Sequence, residues 1–170
     1  SQDEQDSRFY GKFAMIPILE PSTQQEAYDM MPYAYTLSEE TKLPVLMRVV
    51  TRLAHSRAGV TVREPRPQNS LCPETDRTHW VLLPANARRQ YASLVGKQDS
   101  LLASSEASTY NSQASDILNQ KSPLGIIACG IAYNYVMENN PAALGMPVLK
   151  VSQYPLPEAA IKALATQCEA

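Results

Sequence analysis

The sequence predicts an α/β fold: two successive strand–helix–strand units, with mostly parallel strands. Two observations predict it. Short apolar runs at residues 15–19, 45–50, 124–128 and 146–151 are each bounded by turn-forming residues, as buried strands are. Between the members of each pair, apolar residues recur at helical spacing. A strand–helix–strand of this size implies a right-handed parallel crossover.

The chain opens on a dense polar stretch, Glu4-Gln5-Asp6-Ser7-Arg8-Phe9-Tyr10-Gly11-Lys12-Phe13-Ala14. It is poorly amphipathic and reads as a functional loop before the first strand. Residues 15–19 form that strand, and Pro17 places it at an edge or makes it short. Ser22 with Gln25 has the spacing of a capping box. Ala27, Met30, Met31, Ala34, Tyr35 and Leu37 then form one stripe over a helix at 23–41, with a kink expected at Pro32. Lys42-Leu43-Pro44 ends it. Residues 45–50 are the second strand, followed by Thr51-Arg52 and His55-Ser56-Arg57.

Residues 63–79 carry Pro65, Pro67 and Pro73 and read as an extended connection. Residues 78–83 read as a short edge strand, residues 85–104 as a helix, and residues 104–120 as a helix continuation or a loose linker. A second unit begins near residue 123. It has a strand at 124–128, a tight turn at Cys129-Gly130, a helix at 131–138 stopped by Asn139-Asn140-Pro141, a strand at 146–151, and a helix from Glu158 to about Gln167.

Composition narrows the function. Hydrophobic residues make up 44% of the 170 positions, enough for a core. The net charge is −2 and basic residues are scattered, which argues against nucleic-acid binding. No apolar run reaches the roughly 18 residues of a membrane span. Cys72, Cys129 and Cys168 share no CxxC spacing and read as reduced thiols of a cytoplasmic protein. Three thiols cannot supply the four thiolates of an iron–sulfur cluster. The two histidines, His55 and His79, form no cluster at ligand spacing. The first residue is Ser and the last residues read as helix, so the chain is expected to be a segment of a longer polypeptide.

Three groups carry candidate chemistry. Glu4, Asp6 and Arg8 either shape a pocket for an anion, with Arg8 taking a carboxylate bidentately, or form local ion pairs on a solvated loop. Arg48, Arg52, His55 and Arg57 lie at the end of a buried strand; they receive a carboxylate or phosphate, or are surface charge. Gly125 to Gly130 enters a helix without GxGxxG or a Walker lysine, which favours plain turn geometry over phosphate binding.

The opening stretch, followed by Ile16-Pro17-Ile18-Leu19-Glu20-Pro21-Ser22, resembles the alpha subunits of the indolepyruvate:ferredoxin oxidoreductases. These form a branch of the thiamine-diphosphate-dependent 2-oxoacid:ferredoxin oxidoreductases. The resemblance continues through Gln25-Glu26-Ala27, residues 43–48, Thr51-Arg52 and His55-Ser56-Arg57. It resumes at residues 84–89, 124–127, 130–133 and 154–157.

The resemblance implies parts of two transketolase-like three-layer domains. Residues 1–62 would be the C-terminal part of a pyrimidine-binding domain, 63–122 a linker with a helix, and 123–170 the start of a transketolase C-terminal-like domain. It implies oxidative decarboxylation of an aryl 2-oxoacid such as indolepyruvate to an acyl-coenzyme A, in anaerobic degradation of aromatic amino acids. The implied cofactors are thiamine diphosphate, Mg2+ and 4Fe-4S clusters, all held outside this chain, which alone is expected to be inactive. The implied partners are a beta subunit, ferredoxin, coenzyme A and a second copy of the chain. Catalytic residues are then absent, Glu4 included. The residues bordering the active site would be Gln5, Asp6 and Arg8, with Arg52 and His55. The alternatives are a transketolase-like dimerisation module without a catalytic role, or a segment of a pyruvate or 2-oxoglutarate:ferredoxin oxidoreductase.

Overall fold

The computed structural model describes residues 5–113, 122–141 and 145–169. Glu4 and the second half of the 104–120 stretch lie outside them.

The opening stretch is not a loop. Arg8–Ala14 is a helix, α1. Asp6 Oδ1 accepts the backbone N–H of Arg8 (3.0 Å) and the Asp6 carbonyl accepts that of Phe9 (3.1 Å), so the polar residues before the helix satisfy its first donors. Met15, at φ 59°, closes it in the left-handed region. Gly11 lets the helix lie directly on the next strand: a Cβ there would stand 2.3 Å from Ile18 Cδ1.

Strand β1 (Ile18–Leu19) pairs in parallel with β2 (Leu46–Met47), Ile18 opposite Leu46 and Leu19 opposite Met47. The predicted crossover runs between them through α2 (Gln24–Thr41). Pro17 shortens β1 but does not put it at an edge, because β6 (Gln153–Tyr154) pairs with its other side, antiparallel. The capping box falls one residue later than predicted. Thr23 Oγ1 accepts Glu26 N–H (3.1 Å), and the Glu26 carboxylate reaches back to the N–H (2.8 Å) and hydroxyl (2.7 Å) of Ser22. Met30 and Leu37 are buried on α2, while Met31 and Tyr35 face outward. The helix continues through Pro32 and ends at Lys42 in the left-handed region.

After β2 comes a five-residue helix, α3 (Thr51–His55), and then an extended segment without regular structure. The strand predicted at 78–83 does not form. Asp76 instead caps a 3-10 turn at Arg77–His79, accepting Thr78 N–H at 2.9 Å, and Trp80 to Leu83 lie exposed with no partner strand among the described residues. The helix predicted at 85–104 is two helices, α4 (Pro84–Gly96) and α5 (Gln98–Glu106), meeting at Lys97. Pro84 opens α4, where a missing N–H leaves no bond unmade.

The second sheet holds β3 (Ser112–Gln113), β4 (Ile126–Cys129) and β5 (Val148–Val151), in the order β3-β5-β4. Strands β4 and β5 are parallel with Ile127 opposite Leu149, joined through α6 (Ala132–Glu138). Strand β3 adds antiparallel to β5. The two crossovers thus use parallel pairs, and β3 and β6 add antiparallel ones. Helix α7 (Glu158–Gln167) closes the chain over a core of Ile18, Leu149, Val151, Tyr154, Leu164 and Cys168.

Residues 148–154 join the sheets. Strand β5 belongs to one and β6 to the other, and between them Ser152 offers its carbonyl to Glu20 N–H (2.8 Å). Asn111 holds the joint: its Oδ1 accepts the N–H groups of Ser152 (2.8 Å) and Gln153 (2.9 Å), and its Nδ2 donates to the Gln153 carbonyl (2.9 Å). Buried Gln153 in turn accepts from Tyr33 and Ser108. Lys150, buried in β5, pairs with Glu26 of α2 and lies 5.0 Å over the Tyr133 ring.

Candidate functional site

Strands β1, β2 and β4 send their carboxyl ends to one place, where open α/β sheets bind ligands. Glu20, the first residue after β1, is 2% exposed. A lone carboxylate at such a depth would be strongly unfavourable. Arg8 reaches it from α1 with two N–H groups, Nε to Oε2 and Nη2 to Oε1, both at 2.7 Å. This is a bidentate charge-assisted pair. Arg48, one residue past β2, donates Nη1 to Oε1 at 2.6 Å. The Tyr154 hydroxyl donates to Oε2 at 2.9 Å.

Asp6 adds a second acid, accepting Arg8 Nη1 at 2.9 Å. Arg48 Nε stands 3.8 Å from Asp6 Oδ1, too far for a hydrogen bond, and has no other partner among the described residues. Two carboxylates and two guanidiniums therefore balance in charge. The cluster shapes its members' titration. Partial burial raises the Asp6 carboxyl, but the Arg8 N–H and guanidinium, with the charge of Arg48, outweigh it and hold the group below the usual carboxylate value. The Glu20 hydrogen bonds raise Arg8 further above an already high value. Burial, a hydrogen bond with Cys129 and the Glu20 charge push the Tyr154 phenol up.

The second crossover closes on the same point. At the end of β4, Gly130 has φ +52°, and a Cβ there would lie 2.6 Å from Glu20 Oε1, so no other residue fits this approach without displacing the carboxylate. Asn134 of α6 donates to the Ser22 carbonyl at 2.7 Å. Arg52 of α3 lies 5.7 Å over the Tyr135 ring of α6.

The structure thus brings Asp6 and Arg8 together with Glu20, Arg48 and Tyr154. Gln5 stands beside them at the surface, accepting the Tyr10 hydroxyl at 2.9 Å. Arg52 and His55 lie on α3, exposed, and among the described residues neither pairs with a carboxylate. Sequence reasoning passed over Glu20, Tyr154 and the role of Gly130. One signal was available for Glu20: an acid directly abutting a buried apolar run needs a partner. Nothing local marks Tyr154, which is 134 residues away from Glu20.

Two cavities are notable. One of about 270 Å3 borders the cluster, lined by Arg8 and Tyr154 together with Lys12, Met15, Leu102 and Leu156. The other, about 300 Å3, lies beside α7 and Gly125. Among the described residues no three His, Cys, Asp or Glu side chains gather as a metal site. Cys72, Cys129 and Cys168 are free thiols in three different settings: exposed, half-buried and buried. The donor set therefore does not fit an iron–sulfur cluster. No described helix is long and apolar enough to cross a membrane.

No family model matches the chain. Over 163 residues, 92% of its length, it is 40% identical to indolepyruvate oxidoreductase subunit IorA of Methanothermobacter marburgensis. It is 38% identical, over 98% of its length, to the subunit of the same name from Archaeoglobus fulgidus. The Thermococcus kodakarensis subunit is 34% identical over 92% of the chain. The matched stretches make up 26%, 27% and 25% of those relatives, so the chain spans about a quarter of their length. A solved 2-oxoglutarate:ferredoxin oxidoreductase from Magnetococcus marinus aligns with 52% of the chain and 16% of its own, at 21% identity and a TM-score of 0.40, a slight likeness. The resemblance carried by the opening stretch and the later motifs is borne out by the curated relatives.

Proposed function

We propose that the chain is a segment of the alpha subunit of an indolepyruvate-type 2-oxoacid:ferredoxin oxidoreductase. The observation that carries this is the 38–40% identity to two such subunits over nearly all of its length. The whole enzyme joins an aryl 2-oxoacid and coenzyme A, releases carbon dioxide, and passes the two electrons left by decarboxylation to ferredoxin, forming an acyl-coenzyme A. Thiamine diphosphate with Mg2+ supplies the carbanion chemistry and 4Fe-4S clusters carry the electrons, all bound by parts of the subunits outside this segment. The segment alone is inert. It works in the cytoplasm, in an assembly with a beta subunit and a second copy of the alpha subunit.

Within that enzyme, residues 1–62 end the pyrimidine-binding domain, 63–122 link, and 123–170 begin the transketolase C-terminal-like domain. Gln5, Asp6, Arg8, Arg52 and His55 border the substrate site from this side. Their roles differ. The Arg8 guanidinium is engaged by Glu20 and Asp6, whereas Arg52 has no acidic partner among the described residues and presents a guanidinium suited to a substrate carboxylate.

The test is an anaerobic assay of the full-length alpha subunit co-expressed with its beta subunit and reconstituted with clusters and thiamine diphosphate. Indolepyruvate and coenzyme A should reduce ferredoxin, with kcat/KM for indolepyruvate at least about tenfold above that for pyruvate. Preference for pyruvate or 2-oxoglutarate would assign the chain to another branch. No coenzyme A-dependent reduction with any 2-oxoacid would refute the reading.

A further inference from the structure

We propose that Glu20 is a positioning residue for the substrate site: its carboxylate sets the geometry of the Arg52–Tyr135 pair, which receives the anionic end of the substrate. The inference rests on the reading of the chain as part of a 2-oxoacid oxidoreductase and extends it to a residue that makes no substrate contact.

Glu20 is where the two crossovers meet. Arg48 from the end of β2 and Gly130 from the end of β4 converge on the same carboxylate oxygen: Nη1 donates to Oε1 at 2.6 Å, and the glycine backbone approaches so closely that a Cβ would stand 2.6 Å from it. Each of these residues leads directly into a short helix. Arg48 precedes α3, which carries Arg52, and Gly130 precedes α6, which carries Tyr135. Arg52 and Tyr135 then meet at 5.7 Å. Arg52 thus follows by four residues a side chain hydrogen-bonded to this buried anion, and Tyr135 follows by five a glycine packed against it. Asn134 closes the other side of the frame by holding α6 to the Ser22 carbonyl at 2.7 Å.

Charge supports the division of labour. Glu20 and Asp6 neutralise Arg8 and Arg48, and Arg52 remains without an acid among the described residues. Removing the Glu20 charge leaves two guanidiniums competing for Asp6. Arg48 loses its close partner, and the start of α3 loses its anchor. A carboxylate-binding guanidinium displaced by about 1 Å loses substrate affinity, and because that carboxylate leaves as carbon dioxide the displacement slows turnover as well.

The experiment is a double-mutant cycle in the full-length enzyme with its partner subunit, using indolepyruvate as the probe. Glu20→Gln and Arg52→Ala should each raise KM for the 2-oxoacid about tenfold and lower kcat as well, and the double variant should be no worse than Arg52→Ala. KM for coenzyme A should not move. Additive effects on KM, or a Glu20→Gln enzyme with a lowered Tm and unchanged KM, would overturn the proposal. If Glu20→Gln does not assemble, Tyr154→Phe removes one donor from the same carboxylate. It should raise KM about twofold to threefold in wild type and not at all on the Arg52→Ala background, and an unchanged KM in wild type again overturns the proposal. Wild-type enzyme inactive on every 2-oxoacid would sink the functional reading instead.

Discussion

The guanidinium of Arg8 has three of its N–H groups engaged by the chain's own acids: two on Glu20 and one on Asp6. The sequence suggested that Arg8 takes a carboxylate bidentately, and it does so with a carboxylate twelve residues along. Because Glu20 is buried, truncating its partner is more damaging than losing a surface ion pair, which contributes about 1 kcal/mol or less. Arg8→Ala in the full-length subunit should lower stability by about 3 kcal/mol, the lower end of the range for breaking a buried pair, since Arg48 and Tyr154 stay in place. Arg8→Lys should recover only part of it, because an ammonium cannot make the forked contact. Chemical denaturation of the three proteins measures both. A loss under about 1 kcal/mol for Arg8→Ala would show the contact to be open to water and the guanidinium available to a ligand.

At the scale of elements, the opening segment and the α2 start show what local sequence decides. The capping chemistry around Thr23 was legible but shifted by one residue, since Ser22, Thr23, Gln25 and Glu26 offer two overlapping boxes. The structure selects Thr23, whose extended backbone at φ −133° and ψ 167° aims its hydroxyl at Glu26 N–H. Thr23→Ala should therefore destabilise the subunit by about 1 kcal/mol, read as a shift in Tm, while Gln25→Ala leaves the cap intact and loses instead the exposed bonds from Gln25 to the Thr61 backbone. Helix α1 was not legible, because its aromatic residues Phe9 and Phe13 face outward and leave no inward apolar stripe; what holds it is Gly11 on Ile18 and Arg8 on Glu20. The strand expected at 78–83 failed for the opposite reason. Trp80 to Leu83 have strand-like composition, but a strand needs a neighbouring backbone, and none of the described strands offers one.

At the scale of the whole molecule, the 148–154 segment links two sheets that the sequence presents as separate units. Its apolar half was evident, and its polar half, Ser152-Gln153, was not read as strand at all. Asn111, Ser105, Ser108 and Tyr33 satisfy the backbone N–H groups of both and the polar groups of buried Gln153, while the Ser152 hydroxyl is buried with no partner among the described residues. Asn111→Ala would strip the two N–H groups of the joint of their acceptor. It should lower stability by about 2–3 kcal/mol, and hydrogen exchange should show the loss of protection at Ser152 and Gln153 rather than across α2. Uniform loss across both sheets would mean that the joint is not the weak point.

Local pattern was enough to establish the α/β class, both parallel crossovers, most helices and, through its motifs, the resemblance to the 2-oxoacid oxidoreductases. The first three follow from periodicity and turn chemistry, which act over a few residues, and the resemblance rests on the matched motifs themselves. Tertiary structure alone decided that the polar opening is a helix, that β1 lies inside its sheet, and that Glu20 collects Arg8, Arg48, Gly130 and Tyr154. A buried carboxylate must be matched by cations and donors wherever the chain can supply them, and those came from positions up to 134 residues away. No local signal encodes such a meeting, because it is set by strand pairing and by the low tolerance of a dry interior for unpaired charge.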